Sequence, residues 1–555
     1  LVWKALTDGL AEAMRSAGVY TPERHARLEL AVPRDPAHGD WTTNLALGLA
    51  RELARPPRPL ADALARAFPS DPARFDAVEV AGPGFLNFRY STRFIAALPA
   101  HILAEGAGFG NSEGGRGTRV NVEYVSANPT GPLNVVNARA AAVGAALVRL
   151  LKATGHDAAG EYYVNDAGSQ VDLLGESAAA RFAERLGMPR AFPENGYQGE
   201  YLRELAGSLD EGAARAALDR GDERPWFREQ AVARMLEWQA RDLHEYGADF
   251  DVWFRESSLH ASGAVERTLE ALQRRGVVYQ AEGAQWVRTT QFGDDKDRVV
   301  VRANGVPTYL LPDIAYHHDK HARGFRVAID LWGPDHHGHI LPLKAALGAL
   351  GLPDDFLEVL IVQQVNLLAG GQPIKMSKRA GEFITLRDLL AEVGPDCAKF
   401  FFLLRSTSAH LDFDLDLAKR QNDENPAFYV QYAHARIASI LRFAAERGLA
   451  PSREPMPEPL APEERALIRK LAVFPELVRG AAAAREPHRL PAFLMETAAE
   501  FHRFYHVCRV VSEDEARSRA RLALSEAARL VLRNGLALMG VSAPERMERA
   551  AEAAT

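Results

Sequence analysis

VEYVSANPTGPLNVVNARAAAVG, residues 122–144, is the stretch that decides the fold. Apolar residues crowd 120–125. Asn128-Pro129-Thr130-Gly131-Pro132 then breaks the run, and small and apolar side chains follow at helical density from 137 to 153. A strand, a Gly/Pro loop and an apolar helix form the opening unit of a parallel α/β nucleotide-binding core. Strand-like runs return at 285–290, 299–302, 327–331 and 359–365. Residues from about 177 to 245 are charged, helical in period and free of strand signals, so they read as an insertion. The core is therefore expected to occupy 111–410.

The flanks differ in kind. Residues 1–110 read as an α+β module. It has a helix at 2–17, a strand at 28–32 closed by Pro33, a helix at 42–54 stopped by Pro56 and Pro57, and a strand–turn–strand at 78–88 around Gly82-Pro83-Gly84. Residues 411–555 show almost no strand signal. Helical stretches at 428–446, 462–478, 490–507 and 514–538 make a bundle the expected architecture.

Composition excludes several classes. The 555 residues are 47% hydrophobic and 25% charged, which rules out wholesale disorder. No stretch approaches the roughly 18 uninterrupted apolar residues of a membrane span, and the N-terminal residues, with Lys4 and Asp8, do not form a secretory signal. Two cysteines, Cys397 and Cys508, exclude a disulfide framework and a cysteine-rich zinc knuckle, and point to a reducing cytoplasm. The net charge is −7, yet residues 415–555 carry 21 Lys and Arg, 19 of them Arg, against 19 Asp and Glu. That bias toward arginine is a weak pointer to phosphate contacts.

The strongest local chemical signal is KMSKRAG, residues 375–381. Two lysines flank a small polar residue after Gly370-Gly371, so two ammonium groups and the Ser377 hydroxyl can meet a polyphosphate. His317-His318-Asp319 and Asp335-His336-His337 superficially suggest a metal centre. No metal is expected there, because the resemblance described next has such strings without one.

The chain resembles bacterial-type arginyl-tRNA synthetases, which are class I aminoacyl-tRNA synthetases. The resemblance runs through VPRDPAHGD, VEVAGPGFLNF, VEYVSANPTGPL, EYYVNDAG, TYLLPDIAYHHDK, LWGPDHHGH, KMSK, NPAFYVQYAHARI, FHRFYHVCRV and VLRNGLALMGVSAPERM. It implies a multidomain α/β protein: a Rossmann-like class I core, an N-terminal α+β tRNA-binding module and a C-terminal helical anticodon-binding bundle. It also implies ATP-dependent activation of L-arginine and transfer of the arginyl group to the 3′ end of tRNA(Arg), by a monomer. ATP would enter with Mg²⁺.

Residue roles follow from the same resemblance. Ala127, Pro129, Thr130, Gly131, Pro132, Leu133, Asn134, Val135, Val136, Asn137, Lys375, Met376, Ser377 and Lys378 would meet ATP. Lys375, Lys378, Asn134 and Asn137 would act on the transition state, and a helix starting near Asn137 would offer backbone N–H groups to phosphate. Glu123 and Asp313 would receive the guanidinium, with Asn128, Tyr309 and His336 completing the pocket. In the flanking domains Phe85, Asn87, Tyr429, Tyr432 and Arg436 would contact tRNA. One departure stands out. The HIGH-type tetrad of class I synthetases reads Asn134-Val135-Val136-Asn137, and Ala140 replaces a usual glycine. Asparagine donates an N–H but cannot become cationic. A catalytically impaired tRNA-binding relative is therefore the alternative reading.

Overall fold

The computed structural model describes residues 2–33, 35–220, 223–374 and 384–548. At its centre lies a five-stranded sheet. Its strands are β1 (Arg119–Ala127), β2 (Asp157–Val164), β3 (Val252–Arg255), β4 (Val327–Trp332) and β5 (Leu357–Ile361), in the spatial order β5-β4-β1-β2-β3. All four pairings are parallel. The chain winds outward from β1 to β2 and β3, then restarts on the other side with β4 and β5. The strand order therefore reverses beside β1, and a crevice opens there at the carboxyl ends of the strands.

Helix α1 (Val135–Ala153) follows β1 and packs against it. Gly144 makes this possible: a Cβ there would stand 2.1 Å from Cγ of Tyr124 on β1. Helix α2 (Leu310–Ala322) precedes β4, and α3 (Leu386–Val393) follows the 375–383 segment. Between β2 and β3 the chain is helical, as expected for the insertion, and its longest helix is Glu223–Tyr246.

The N-terminal module carries a three-stranded antiparallel sheet in which Phe85–Tyr90 lies between Trp41–Thr43 and Phe75–Ala81. The strand expected at 28–32 is absent. Ala31 forms a single bridge with Thr42, and Pro33 withholds a donor just beyond it. The helix expected from 42 begins at Leu45, because Trp41–Thr43 pairs with the central strand. The run at 359–365 divides between two sheets: Leu357–Ile361 closes the core, and Val365–Ala369 pairs with Leu411–Asp414. The helix expected at 462–478 also divides, into Pro462–Ala472 and Phe474–Ala484. Pro426–Ala445, Arg489–Val507 and Glu515–Met539 form the rest of the bundle close to expectation.

One buried cation ties the core to the outer sheet. Arg139 on α1 is fully buried, and burial draws its guanidinium down to about 10. It donates to the carbonyls of Gln363 and Ser406, both at 2.8 Å, and of Ala409 at 2.9 Å. These carbonyls lie just before Val365–Ala369 and Leu411–Asp414. Arg139→Met keeps the apolar stem but leaves the carbonyls without donors. We expect a loss of about 3–5 kcal/mol, seen as a melting midpoint lower by several degrees. An unchanged midpoint would show that water replaces the guanidinium.

Candidate active site

A cavity of about 700 Å³ opens at the carboxyl ends of the central strands. Its floor is shaped by a break in β1. The register slips between Glu123 and Ser126, and Val125 takes φ 66°, a strained backbone for a β-branched residue. Val125 and Ser126 border the cavity as a result, beside Leu331 and Trp332 at the end of β4.

Below the cavity three carboxylates share one register line. Asp330 on β4 is the partner of Glu123 on β1, and Glu123 is the partner of Glu161 on β2. All three are buried. The groups that answer them come mostly from α2 and the turn just after it, with Asn121 of β1 beside them. Lys320 Nζ donates to Glu123 Oε2 at 2.6 Å and to Asp330 Oδ1 at 2.9 Å. His317 Nε2 lies 2.7 Å from Asp330 Oδ2, and its Nδ1 lies 2.8 Å from the Asp313 carbonyl. Arg323 clasps Glu161 through two bonds of 2.6 and 2.9 Å, Tyr316 donates to the same carboxylate at 2.7 Å, and Asn121 donates to it at 2.9 Å.

The charges respond accordingly. Burial pushes the Glu123 carboxyl up, and Lys320 pulls only part of that back. Burial also works against Asp330, but Lys320 and His317 outweigh it and hold that carboxyl below the usual range. Glu123, His317 and Asp330 present ligand atoms within 4.8 Å of one another, and the cation among them is the chain's own ammonium.

The other expected pocket residues are brought together unevenly. Tyr309, Asp313 and His336 border the cavity with Glu123. Asp313 Oδ2 meets His339 Nε2 at 2.7 Å, and Tyr309 is 74% exposed at the mouth. Asn128 is turned away and donates to Gln170. Glu256 also borders the cavity, and burial, with Asp313 and Asp166 nearby, pushes it up to about 7.

The tetrad forms the N-terminus of α1. Asn134 is the N-cap: its Oδ1 accepts from the Val136 and Asn137 N–H groups, and the Asn137 side chain accepts from the Asn134 N–H. This corrects the expectation of free backbone donors near Asn137. The helix starts two residues earlier, and the asparagines cap it reciprocally. The side chains of Val136, Asn137 and Ala140 border the cavity. Among the remaining expected ATP contacts, Ala127, Pro129, Thr130, Gly131, Pro132, Leu133 and Val135 build the turn from β1 into α1 and do not border it.

The backbone of this turn is joined to the far side of the 375–383 segment. Asn134 bridges to Thr385, and Leu386 N–H donates to the Leu133 carbonyl at 2.8 Å. Thr385 in turn caps α3 with Asp388. Lys375, Met376, Ser377 and Lys378 lie outside the described residues.

A second cavity, of about 1080 Å³, lies on the helical bundle. Tyr429 meets His502 with ring centres 5.4 Å apart, and the Arg436 guanidinium stands 4.8 Å over the Tyr505 ring. Phe443 and Val507 are exposed on its rim. Tyr432 instead stacks on Phe428 at 5.9 Å. In the N-terminal module Phe85 is exposed at the hairpin. Asn87 is not offered to a partner: it is buried in the central strand between Thr42 and Glu79.

Three family models match the chain. Residues 4–90 match the arginyl-tRNA synthetase N-terminal domain, 100–399 the class I (R) tRNA synthetase catalytic domain, and 430–547 the DALR anticodon-binding domain. The arginine–tRNA ligase of Moorella thermoacetica is 46% identical over 551 residues, and that of Bacillus subtilis 43% over 546, each across 98% of both chains. The chain belongs to the arginyl-tRNA synthetase family. It is thereby an aminoacyl-tRNA synthetase of class I, with the fold of the Thermus thermophilus arginyl-tRNA synthetase (TM-score 0.81, 24% identity, 99% and 100% of the two chains).

The sequence reading did not single out Lys320, Asp330, Glu161, Glu256 or the pairing roles of His317 and His339. A signal was present for some of them. VAIDLW and GEYYV each place one acid inside an apolar strand, and residues 313, 316, 317, 320 and 323 fall on one helical face.

Glu256 gives a prediction with a definite sign. Its carboxyl in the fold lies above the ordinary value, so the folded state binds the extra proton, and its ionisation opposes stability as pH rises toward and past 7. Glu256→Gln should therefore gain in melting midpoint over the unmodified chain as pH goes from about 5 to about 8. A difference that stays flat with pH would mean that the carboxyl is not held in its neutral form.

Proposed function

We propose that the 700 Å³ cavity is where L-arginine reacts with ATP, and that the arginyl group then passes to the 3′ end of tRNA(Arg). One observation carries this reading. Glu123, Glu256 and Asp313 border one cavity together with Val136, Asn137 and Ala140 at the capped start of α1, at the switch point of a parallel sheet. Carboxylates match a guanidinium fork, and leaving them unpaired penalises uncharged analogues. In this reading Glu123 and Asp313 hold the guanidinium, Tyr309 and His336 close the pocket, and Asn128 joins them by turning away from Gln170.

The reaction is attack of the arginine carboxylate on the α-phosphate, with pyrophosphate leaving. Catalysis of this kind is mostly positioning and charge stabilisation. ATP enters as its Mg²⁺ complex. Lys375 and Lys378 supply positive charge to the polyphosphate, with Ser377 adding a hydroxyl donor, and Asn134 and Asn137 offer amide N–H donors. The bridge from Asn134 to Thr385 supports joint action of these two motifs, because it ties one to the chain just after the other. In the bundle we assign Tyr429, Tyr432 and Arg436 to the anticodon, and in the N-terminal module Phe85 to the tRNA elbow. The aromatic groove with an arginine over one ring suits unstacked bases. Two unpaired cysteines accord with a reducing, cytoplasmic setting.

The deciding experiment is arginine-dependent ATP–pyrophosphate exchange with tRNA(Arg) and Mg²⁺ present, alongside a tRNA-binding assay. Exchange above background supports the ligase. Retained tRNA binding without exchange would reduce the chain to a tRNA-binding relative. Asn134→His, Val136→Gly and Asn137→His together should raise exchange by roughly 10²-fold, since a strong transition-state donor is worth about that much. An unchanged rate would clear the tetrad as the limiting feature. Tyr429→Ala with Arg436→Ala should weaken tRNA binding about tenfold or more while leaving the arginine KM in place. A change confined to the arginine KM would remove the groove from tRNA recognition.

A further inference from the structure

We propose that Lys320 is the positioning residue that makes Glu123 a receptor for guanidinium: its ammonium fixes one carboxylate oxygen and leaves the other for the substrate. The proposal rests on the reading of the cavity as the arginine pocket. Lys320 is fully buried and touches Glu123 Oε2 and Asp330 Oδ1, with the Tyr316 ring 4.4 Å from the ammonium. Glu123 Oε1 accepts no hydrogen bond among the described residues, and Glu123 borders the cavity. The carboxylate is therefore oriented from behind and open in front.

The surrounding charges explain why a cation has to stand there. Glu123 has Asp330 beside it on β4 and Glu161 beside it on β2, while α2 presents Asp313, Tyr316 and His317. Arg323 is committed to Glu161, and His317 to Asp330. Lys320 is the cation in hydrogen-bond contact with Glu123. Without it, two adjacent buried carboxyls would share a proton, and Glu123 would meet the substrate as a neutral acid. A guanidinium would then lose a charge-assisted contact, whereas an uncharged urea would lose little. Burial already pushes Glu123 up, and Glu256 is pushed up on the same cavity wall, so it is the displacement of the acid limb between the unmodified chain and the Lys320 variants that reports on Lys320.

The test measures the dissociation constants of arginine and of citrulline, its uncharged urea analogue, by titration calorimetry on the full chain from about pH 5.5 to about pH 8.5. The variants are Glu123→Gln, Lys320→Met, Lys320→Arg and the pair Lys320→Met with Asp330→Asn. The pair removes a carboxylate together with the ammonium, so it keeps the cluster's formal charge and remains informative where Lys320→Met alone fails to fold. Arginine binding to the unmodified chain should tighten as pH rises. Lys320→Met should move that rise up by about one unit and weaken arginine about tenfold near neutrality, and the pair should move it the same way by less, because the Asp330 charge that opposes Glu123 ionisation goes with the ammonium. Citrulline should change little, and Lys320→Arg should keep the limb in place. A folded Met variant with the original limb and the original arginine-to-citrulline ratio would overturn the proposal. Arginine affinity untouched by Glu123→Gln would instead overturn the pocket reading beneath it.

Discussion

Asp330, Glu123 and Glu161 stand side by side on neighbouring strands, about 4.8 Å apart from strand to strand, in the interior of a parallel sheet. Three carboxylates in that setting repel one another, and their burial leaves solvent little power to relieve it. The fold meets this constraint with one helix. Counted along α2 and the turn after it, Tyr316, His317, Lys320 and Arg323 fall at helical spacing and reach the three carboxylates in turn. The position of α2 over the sheet therefore satisfies charge pairing as well as apolar contacts. The same helix carries Asp313 into the cavity and leaves Tyr309, its N-cap, at the mouth. The cavity and the support beside it thus draw on α2 and three strands, with the start of α1 and Glu256 completing the lining.

The other half of the site depends on a backbone connection. Asn134 caps α1 and bridges to Thr385, which caps α3, so two helix starts meet at one point. Arg139, on the same α1, grips the loops entering the outer sheet from the opposite side. A change in the tetrad is therefore felt in two ways. It alters the groups that border the cavity, and it alters the cap that holds α1 and Thr385 together. Asparagine is among the best N-cap residues, and replacing a cap with alanine costs about 1 kcal/mol. The two asparagines thus have a structural reason to be where they are, independent of any role toward phosphate.

Sequence alone made the α/β core legible because strand, Gly/Pro loop and apolar helix follow one another within 122–153, and the periods are unmistakable there. The bundle was legible for the same reason. Residues 28–32 alternate like a strand, but alternation does not supply a partner, and the sheet beside them has room for a single bridge. β2 escaped notice because its glycine and glutamate interrupt the apolar run, although Glu161 is buried by pairing that only the tertiary structure supplies. Glu123 and Asp313 were recognisable from the motif pattern. Lys320 was not, because a lysine on a charged helix reads by default as solvated.

That default is the informative failure. A lysine is almost never fully buried without partners, and here its partners come from two strands separated from it by 197 and 10 residues. Neither separation has a periodic signature, so local pattern reading has no access to the pairing. What the sequence does contain is a surplus: an acid inside the apolar run of each of three strands, Glu123, Glu161 and Asp330, with no cation adjacent to it in the strand. Each acid implies a counter-charge brought by another element. The helix that, with the turn after it, carries His317, Lys320 and Arg323 three residues apart is the element able to supply it across adjacent strands. Taken together, buried acids and helical cations specify which helix covers which strands, and that assignment places the cavity before any substrate is considered.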